Sequence, residues 1–194
     1  MNEREVLFTG IGGQGLQMVS KALGMAALAD GREVLLVPRY GGMMRGGKTN
    51  AELTIGDPPL RALPVVTAAW SAFVMHQAFW ETIRPNLRSG AVVVVNSSLF
   101  HLDVDVDEAR SFRVPATDIA AELGSPMSAG FVLLGAFLAI TGLAPVGAAV
   151  DAMRQLVPPY RTQHVTNNER AIEAGVAAGP ALAAPAWSDL EGVR

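Results

Sequence analysis

Short apolar runs alternate with longer amphipathic segments along most of this chain, a pattern typical of strands that are followed by helices. Continuous apolar runs occupy residues 5–10, 33–38, 70–75 and 89–98, and the last of these contains four successive valines. Runs of this kind indicate buried parallel strands. Residues 48–57 instead alternate apolar and polar side chains, which predicts a half-exposed strand that ends in a turn.

Helical periodicity follows several of these predicted strands. Between residues 15 and 31 the apolar side chains fall on one helical face, and Gly31 supplies a C-terminal stop. A short strand before Pro115 precedes a helix capped near Thr117, and residues 166–179 form a last amphipathic helix. A strand, a glycine turn, a helix and a second strand make a βαβ unit with a right-handed crossover. The sequence therefore predicts a single Rossmann-like α/β domain, in which helices flank a mostly parallel sheet and ligands meet the carboxyl ends of its strands.

Residues 129–150 carry no charged side chain and are long enough to span a membrane. The segment "TGLAP" interrupts the helical pattern near the middle, because proline disfavours helical backbone at the residue before it. No basic cluster flanks either end. We therefore expect two buried helices, the second running from about Pro145 to Val157, and no membrane span.

The chain shows no internal repeat and no long linker. We assign residues 1–178 to one domain. The remaining residues, 179–194, are rich in proline and alanine and are predicted to form a loose C-terminal tail.

Composition narrows the possible functions. Half of the residues are hydrophobic and 17% are charged, so the chain can bury a sizeable core. The net charge of −3 and the lack of a basic block argue against a nucleic-acid partner. Because there is no cysteine, disulfides, thiolate nucleophiles and cysteine-ligated iron–sulfur clusters are excluded within this chain. The first ten residues lack the pattern of a signal peptide, so we expect a cytoplasmic protein.

The first glycine-rich loop, "GIGGQG" at residues 10–15, has the G-x-G-x-x-G spacing of a dinucleotide site, between a strand and a helix. The amides at the start of the helix favour a phosphate. NAD binding also requires an acidic residue at the end of the next strand, where this chain has Pro38 and Arg39. Arg39 keeps an NADP site open, and a tight strand-to-helix turn without a ligand is the other alternative.

The second loop, "YGGMMRGG" at residues 40–47, combines four glycines with an arginine and two methionines. Its glycines allow close approach to a ligand, and Arg45 can pair with a phosphate or carboxylate. Adjacent methionines favour a covered surface over a solvated loop. A bulky ligand or a partner protein therefore fits this segment better than water.

No self-contained catalytic constellation is present, since there is no G-x-S-x-G motif, Walker lysine or H-E-x-x-H motif. Asp103, Asp105 and Asp107 alternate as in a calcium loop but lack its glycine and distant glutamate, which favours a solvated connection. His76 is interpreted as a helix-starting residue with a structural hydrogen bond. His101 and His164 are interpreted as surface or packing residues.

Five motifs in order resemble the gamma subunit of the 2-oxoacid:ferredoxin oxidoreductases, and the final helix around "AIEAG" is also similar to that family's. These motifs are "GIGGQGLQMVSKAL", "YGGMMRGGKTNAELTIGD", "GAVVVVNSS", "VPATDIAAELG" and "GFVLLGAF". The resemblance implies a subunit that is not catalytic alone, in a complex that oxidatively decarboxylates a 2-oxoacid to an acyl-coenzyme A. It implies thiamine diphosphate, Mg²⁺ and [4Fe–4S] clusters in partner chains, namely the alpha and beta subunits and a ferredoxin-like cluster subunit. Electrons would pass to ferredoxin or another acceptor.

The resemblance also implies that the two loops help to hold coenzyme A at the entrance of the active site. Carried over residue by residue, it assigns to this role Gly12, Gly13, Gln14, Gly15, Tyr40, Gly41, Met44, Arg45, Gly46 and Gly47. Lys48 stands where the family commonly has a small or hydroxyl residue, which adds positive charge near the ligand. Two alternatives remain open: a stand-alone NADP-binding reductase, and a purely structural interaction subunit.

Overall fold

A computed structural model describes residues 3–40, 47–61 and 65–187 of the chain. Its strands are β1 (Glu3–Ile11), β2 (Glu33–Tyr40), β3 (Lys48–Gly56), β4 (Ala69–Val74), β5 (Leu87–Asn96) and β6 (Arg110–Val114). Its helices are α1 (Leu16–Ala29), α2 (Trp80–Ile83), α3 (Ala116–Glu122), α4 (Ala129–Thr141), α5 (Val146–Leu156) and α6 (Gln163–Ala178). Each predicted strand and helix is present, within a few residues of its predicted bounds.

The strands form one six-stranded sheet in the order β2-β3-β1-β4-β5-β6. The neighbours β1 and β4, β4 and β5, and β5 and β6 run parallel, whereas β3 runs antiparallel to both β2 and β1. The prediction of a mostly parallel sheet flanked by helices is confirmed. The predicted βαβ unit differs in one respect, because β3 lies between β1 and β2. These two strands point the same way but do not pair.

Both faces of the central strands are buried, which explains their continuous apolar runs. Val92 and Val94 face the core that α1, α4 and α6 help to form, whereas Val93 and Val95 face a second cluster with Trp80 and Phe100. All four valines of the "VVVV" run are therefore buried.

Helices α4 and α6 touch at their backbones. A Cβ placed on Gly135 of α4 would lie 2.0 Å from the carbonyl oxygen of Ile172, and one on Gly175 of α6 would lie 1.9 Å from that of Val132. Only glycine permits an approach this close. Helix α4 is almost fully buried and ends at Gly142, which adopts a left-handed conformation. The predicted pair of buried helices is confirmed, and in the described part of the chain no helix has the length and apolarity needed to cross a membrane.

Residues 179–187 pack against the rest of the domain, so the prediction of a loose tail is wrong for them, and residues 188–194 lie outside the described residues. Amides of residues 182, 184 and 186 donate to the carbonyls of Ala139, Ile140 and Thr141 at 2.7, 3.0 and 2.7 Å. These carbonyls belong to the last turn of α4, where a helix leaves its acceptors without partners. Trp187 is 4% exposed, and its indole Nε1 donates to the Leu143 carbonyl at 3.2 Å. The segment therefore completes the C-terminal end of α4.

Candidate functional site

The two glycine loops predicted from the sequence meet at one edge of the sheet. In the β1–β3 ladder Ile11 lies opposite Lys48, and one residue further the Gly12 amide donates to the Gly47 carbonyl at 2.8 Å. The insertion of β3 beside β1 produces this contact, because the chain that leaves the second loop continues directly into β3. The start of α1 and the start of β3 thus lie side by side.

Most described members of the predicted ligand set line one cavity: Gly12, Gly13, Gly15 and Gly47. Gly41, Met44, Arg45 and Gly46 lie outside the described residues. Tyr40 ends β2 opposite Thr49, two strands away from the first loop.

Gln14 folds back onto its own loop. Its side-chain Oε1 accepts a hydrogen bond from the Ile11 amide at 2.9 Å, and a Cβ on Gly10 would lie 2.7 Å from that oxygen. Gly13 and Gly15 on either side have positive φ angles of 101° and 72°. The Gln14 side chain therefore holds the shape of the turn, while the glycines beside it face the cavity.

Replacing Gln14 with alanine is expected to lower the free energy of unfolding by about 1 kcal/mol, because the Ile11 amide loses its acceptor. Thermal unfolding of the purified chain should show a decrease of roughly 2–4 °C in Tm. Gln14→Glu is the matched control, since a carboxylate still accepts the bond and suits a helix start. Equal losses in both variants would contradict this role.

The cavity has a volume of about 1050 Å³ and lies between the glycine loops, the first turn of α4 and the connection from α5 to α6. Its lining mixes glycine backbone, apolar side chains and polar side chains. The lining residues are Ile11, Gly12, Gly13, Gly15, Leu16, Gln17, Met18, Gly47, Lys48, Thr49, Met127, Ser128, Phe131, Val157, Pro158, Tyr160, Arg161, Gln163, His164 and Asn168. A cavity of this size accommodates a nucleotide-sized ligand.

Three helices begin at this cavity: α1, α4 and α6 each place first-turn residues in its lining. None of the three has a side-chain cap at its N-terminus. A Cβ on Gly130, in the first turn of α4, would lie 3.2 Å from the Gln14 carbonyl oxygen, so α4 begins directly against the first loop. The amides and dipoles at these three helix starts favour a negatively charged ligand.

The charged side chains in the described lining are positive, which favours the same kind of ligand as the helix starts do. Among the described residues that line the cavity there is no aspartate or glutamate, whereas Lys48 and Arg161 carry positive charge. Within the described part of the chain, neither of these two side chains forms an ion pair. The cavity therefore suits an anion that supplies the missing negative charge.

Large apolar side chains stand exposed at the cavity. Met127 is 74% exposed and Tyr160 is 75% exposed, and both contribute to the lining. Phe131 and Leu16 add buried apolar surface inside. An aromatic or alkyl portion of a ligand can pack against these side chains while its charged groups meet the helix starts.

Arg39, the residue that kept an NADP site open, does not line the cavity. Its guanidinium pairs with Glu52 of β3 at 2.5 Å. Because β3 separates β2 from β1, the end of β2 lies two strand spacings from the first loop, roughly 10 Å. A dinucleotide fold has these strands adjacent, so this geometry weakens the NADP alternative.

Sequence reasoning missed the far side of the cavity. Ser128, His164 and Asn168 were not singled out as ligand residues, and His164 was interpreted as a surface or packing residue. They lie on the start of α4 and on α6, far along the chain from both loops. No local signal in the sequence marked this side of the cavity, because Ser128 and Thr162 before the two helices are ordinary N-cap residue types.

The other candidates lie elsewhere. His76 follows β4, and its Nδ1 accepts a bond from the Ala78 amide at 3.0 Å, which confirms the interpretation as a helix-starting residue. Asp105 pairs with Arg84 at 2.5 Å, and Asp107 accepts from the Ser89 hydroxyl at 3.0 Å. In the described ranges, no cluster of three or more histidine, aspartate or glutamate side chains is placed to hold a metal ion.

Comparisons with known proteins identify relatives of the whole domain. The model of the family "Pyruvate ferredoxin/flavodoxin oxidoreductase" matches residues 5–178. The 2-oxoglutarate synthase subunit KorC of Methanothermobacter thermautotrophicus is 32% identical over 178 residues, which are 89% of this chain and 93% of that protein.

Solved structures share the fold. The gamma subunit of a keto/oxoacid ferredoxin oxidoreductase from Geobacter sulfurreducens superposes with a TM-score of 0.75 at 26% identity, over 90% of this chain and 97% of that one. The 2-oxoglutarate:ferredoxin oxidoreductase of Magnetococcus marinus, solved with 2-oxoglutarate, coenzyme A and succinyl-CoA bound, gives a TM-score of 0.81 at 17% identity. It matches 94% of this chain and 31% of that chain, and at this identity it shows the fold alone.

Proposed function

The chain belongs to the pyruvate ferredoxin/flavodoxin oxidoreductase family, and from this premise we propose that its cavity helps to bind coenzyme A in an assembled oxidoreductase. The chain is a gamma subunit of a 2-oxoacid:ferredoxin oxidoreductase complex. In the proposed reaction, the complex oxidatively decarboxylates a 2-oxoacid and transfers the acyl group to coenzyme A.

The observation that carries this proposal is the charge of the cavity. Coenzyme A combines phosphoryl groups with an adenine ring and a long, amide-containing arm. Three helix N-termini and Lys48 suit the phosphoryl groups, and no described carboxylate in the lining opposes them. Met127, Tyr160 and Phe131 suit the less polar parts.

The redox chemistry belongs to partner chains in this proposal. Thiamine diphosphate with Mg²⁺ lies in the alpha and beta subunits, and [4Fe–4S] clusters lie in a ferredoxin-like subunit that passes electrons to ferredoxin or another acceptor. This chain has no cysteine to ligate a cluster. Its own residues bind and orient coenzyme A, with the glycine loops and the start of α1 on one side of the cavity and α4 and α6 on the other.

Replacing Lys48 with glutamine in the intact complex is expected to raise KM for coenzyme A about 10-fold, because one charge-assisted contact to a phosphoryl group is lost. The kcat should stay within about 2-fold, since the contact holds the ligand in ground and transition states alike. Steady-state kinetics with saturating 2-oxoacid measure both values.

The chain's other lysine offers a matched control. Lys21 is exposed on α1 and does not line the cavity, so Lys21→Gln removes the same charge without the contact. Equal KM values for both variants and the unchanged complex would contradict the proposal. Arg45→Ala extends the test to the second loop: a raised KM supports ligand contact, whereas loss of assembly supports the purely structural alternative.

The NADP alternative has its own measurement. Titration of the purified chain with NADPH is expected to show no binding at micromolar concentration, because the Arg39 guanidinium is paired with Glu52 outside the cavity. Micromolar binding would support a stand-alone reductase. The identity of the chains that co-purify with this one tests the proposed complex directly. Partner chains that bind neither thiamine diphosphate nor an iron–sulfur cluster would contradict it.

A further inference from the structure

We propose that the side-chain amide of Asn168, on α6 beside the start of α4, binds a phosphoryl oxygen of the ligand. This inference rests on the proposed function and assigns one phosphoryl group of the ligand to the wall opposite the glycine loops. It adds a ligand-contacting residue that lies outside both glycine motifs.

Asn168 is buried in the wall of the cavity. The residue is 6% exposed and contributes to the cavity lining. Its Oδ1 accepts a hydrogen bond from the Ser128 hydroxyl at 2.8 Å, and the Ser128 and Ser125 hydroxyls lie 2.8 Å apart. With Ser125 donating to Ser128 and Ser128 donating to Asn168, the three side chains form one directed chain of hydrogen bonds.

This chain of bonds ends in two N–H donors without an acceptor. In the described part of the protein, no group accepts a hydrogen bond from the Asn168 Nδ2. This nitrogen is not enclosed by protein atoms, since Arg84 Nε is the one buried side-chain nitrogen or oxygen without a partner among the described residues, and the Asn168 nitrogen is accessible from the cavity that the residue lines. Because Oδ1 is held by Ser128, the amide cannot rotate without breaking that bond. The N–H donors are therefore kept toward the cavity, where a ligand oxygen would satisfy them.

The surroundings select a negatively charged acceptor. Ser128 precedes the first residue of α4, and its hydroxyl donates to Asn168 instead of capping the helix. Helix α6 likewise begins without a side-chain cap, at Gln163 in the same lining. The starts of these two helices, which are 13 and 16 residues long, therefore line the same cavity as Asn168. A phosphoryl group has enough oxygens to accept hydrogen bonds from both helix starts and from the Asn168 amide.

The decisive variant is Asn168→Asp in the complex with its partner subunits. One carboxylate oxygen can still accept from Ser128, so the shape of the site is kept, while the other replaces the N–H donors with negative charge. Isothermal titration without 2-oxoacid, so that no turnover occurs, is expected to show coenzyme A binding at least 10-fold more weakly. Asn167→Asp is the control, because it adds the same charge one residue away on α6, at a position that does not line the cavity.

A ligand series identifies the group that Asn168 contacts. Asn168→Asp should greatly weaken the binding of coenzyme A. It should leave the affinity for pantetheine, which has no phosphoryl group, nearly unchanged. Dephospho-coenzyme A, which lacks the 3′-phosphate, then separates the two phosphoryl positions. If Asn168→Asp still weakens its binding, Asn168 contacts the diphosphate. If Asn168→Asp no longer weakens its binding, Asn168 contacts the 3′-phosphate. Either result supports the proposal. An equal loss for pantetheine would overturn it and would place Asn168 against the pantetheine arm.

Ser128→Ala tests the positioning of the amide. Without its hydroxyl, Oδ1 is no longer held, and coenzyme A should bind about 3-fold more weakly while pantetheine is unaffected. If neither Asn168→Asp nor Ser128→Ala alters coenzyme A binding but Lys48→Gln does, the proposed role of Asn168 is wrong. The proposal that the cavity binds coenzyme A is then still supported. If none of the three variants alters binding, the proposed function itself fails.

Discussion

Replacing Gly175 with alanine is expected to destabilise the domain by about 3–5 kcal/mol, which is above the typical cost of about 1–3 kcal/mol for overpacked interiors. The added Cβ would lie 1.9 Å from the carbonyl oxygen of Val132, a backbone atom that cannot rotate away. Helices α4 and α6 must separate to admit it, and α4 is the most deeply buried helix of the core. Thermal unfolding of the purified chain should show Tm lowered by roughly 10 °C.

Gly147 supplies the matched control. It lies in α5, is exposed, and has no atom within 4 Å of the Cβ position. Gly147→Ala is expected to leave the stability unchanged or to raise it by about 0.5–1 kcal/mol, because alanine favours the helical conformation. Similar effects of the two substitutions would show that the backbone contact between α4 and α6 does not limit the packing.

Replacing Trp187 with alanine is expected to lower the free energy of unfolding by about 3–4 kcal/mol. The indole ring is buried, and the Arg32 guanidinium lies 3.9 Å from its centroid. Its Nε1 donor holds the Leu143 carbonyl just after α4. Loss of the ring leaves a cavity and removes the cation–π contact, so denaturant unfolding should show a lower midpoint with a similar slope.

Trp187→Phe separates the ring from the hydrogen bond. It keeps most of the apolar surface and the face beneath Arg32 but removes the N–H donor, so a smaller loss of about 1 kcal/mol is expected. If Trp187→Ala were no more damaging than Trp187→Phe, burial of the ring would not be what holds the C-terminal segment.

The order of strands and helices could be predicted from the sequence because each depends on local patterns. The four valines of β5 and the break at "TGLAP" are readable one segment at a time. The position of β3 in the sheet was not predictable in this way, since it depends on which strands pair with one another. The composition of residues 179–187 likewise gave no sign that their amides satisfy the last carbonyls of α4.

In the candidate site, too, the features set by local sequence were predictable and those set by long-range contacts were not. The first glycine loop was found from its spacing, and its glycines do line the cavity. Ser128 and Asn168 were missed because their hydrogen bond joins residues 40 positions apart. Neither residue stands in a motif. The backbone contact of α4 with α6 brings their side chains together, and that contact depends on two glycines whose partners are similarly distant in sequence.

The insertion of β3 between β1 and β2 has a consequence for the order in which the chain folds. Strands β2 and β3 are neighbours in sequence and can pair early, because the loop that closes between them is short. The pairing of β1 with β3 closes a longer loop that includes α1, and is therefore expected to come later. The bond between Gly12 and Gly47 belongs to this second step. Ligand binding during refolding should accordingly appear only after most of the secondary structure has formed.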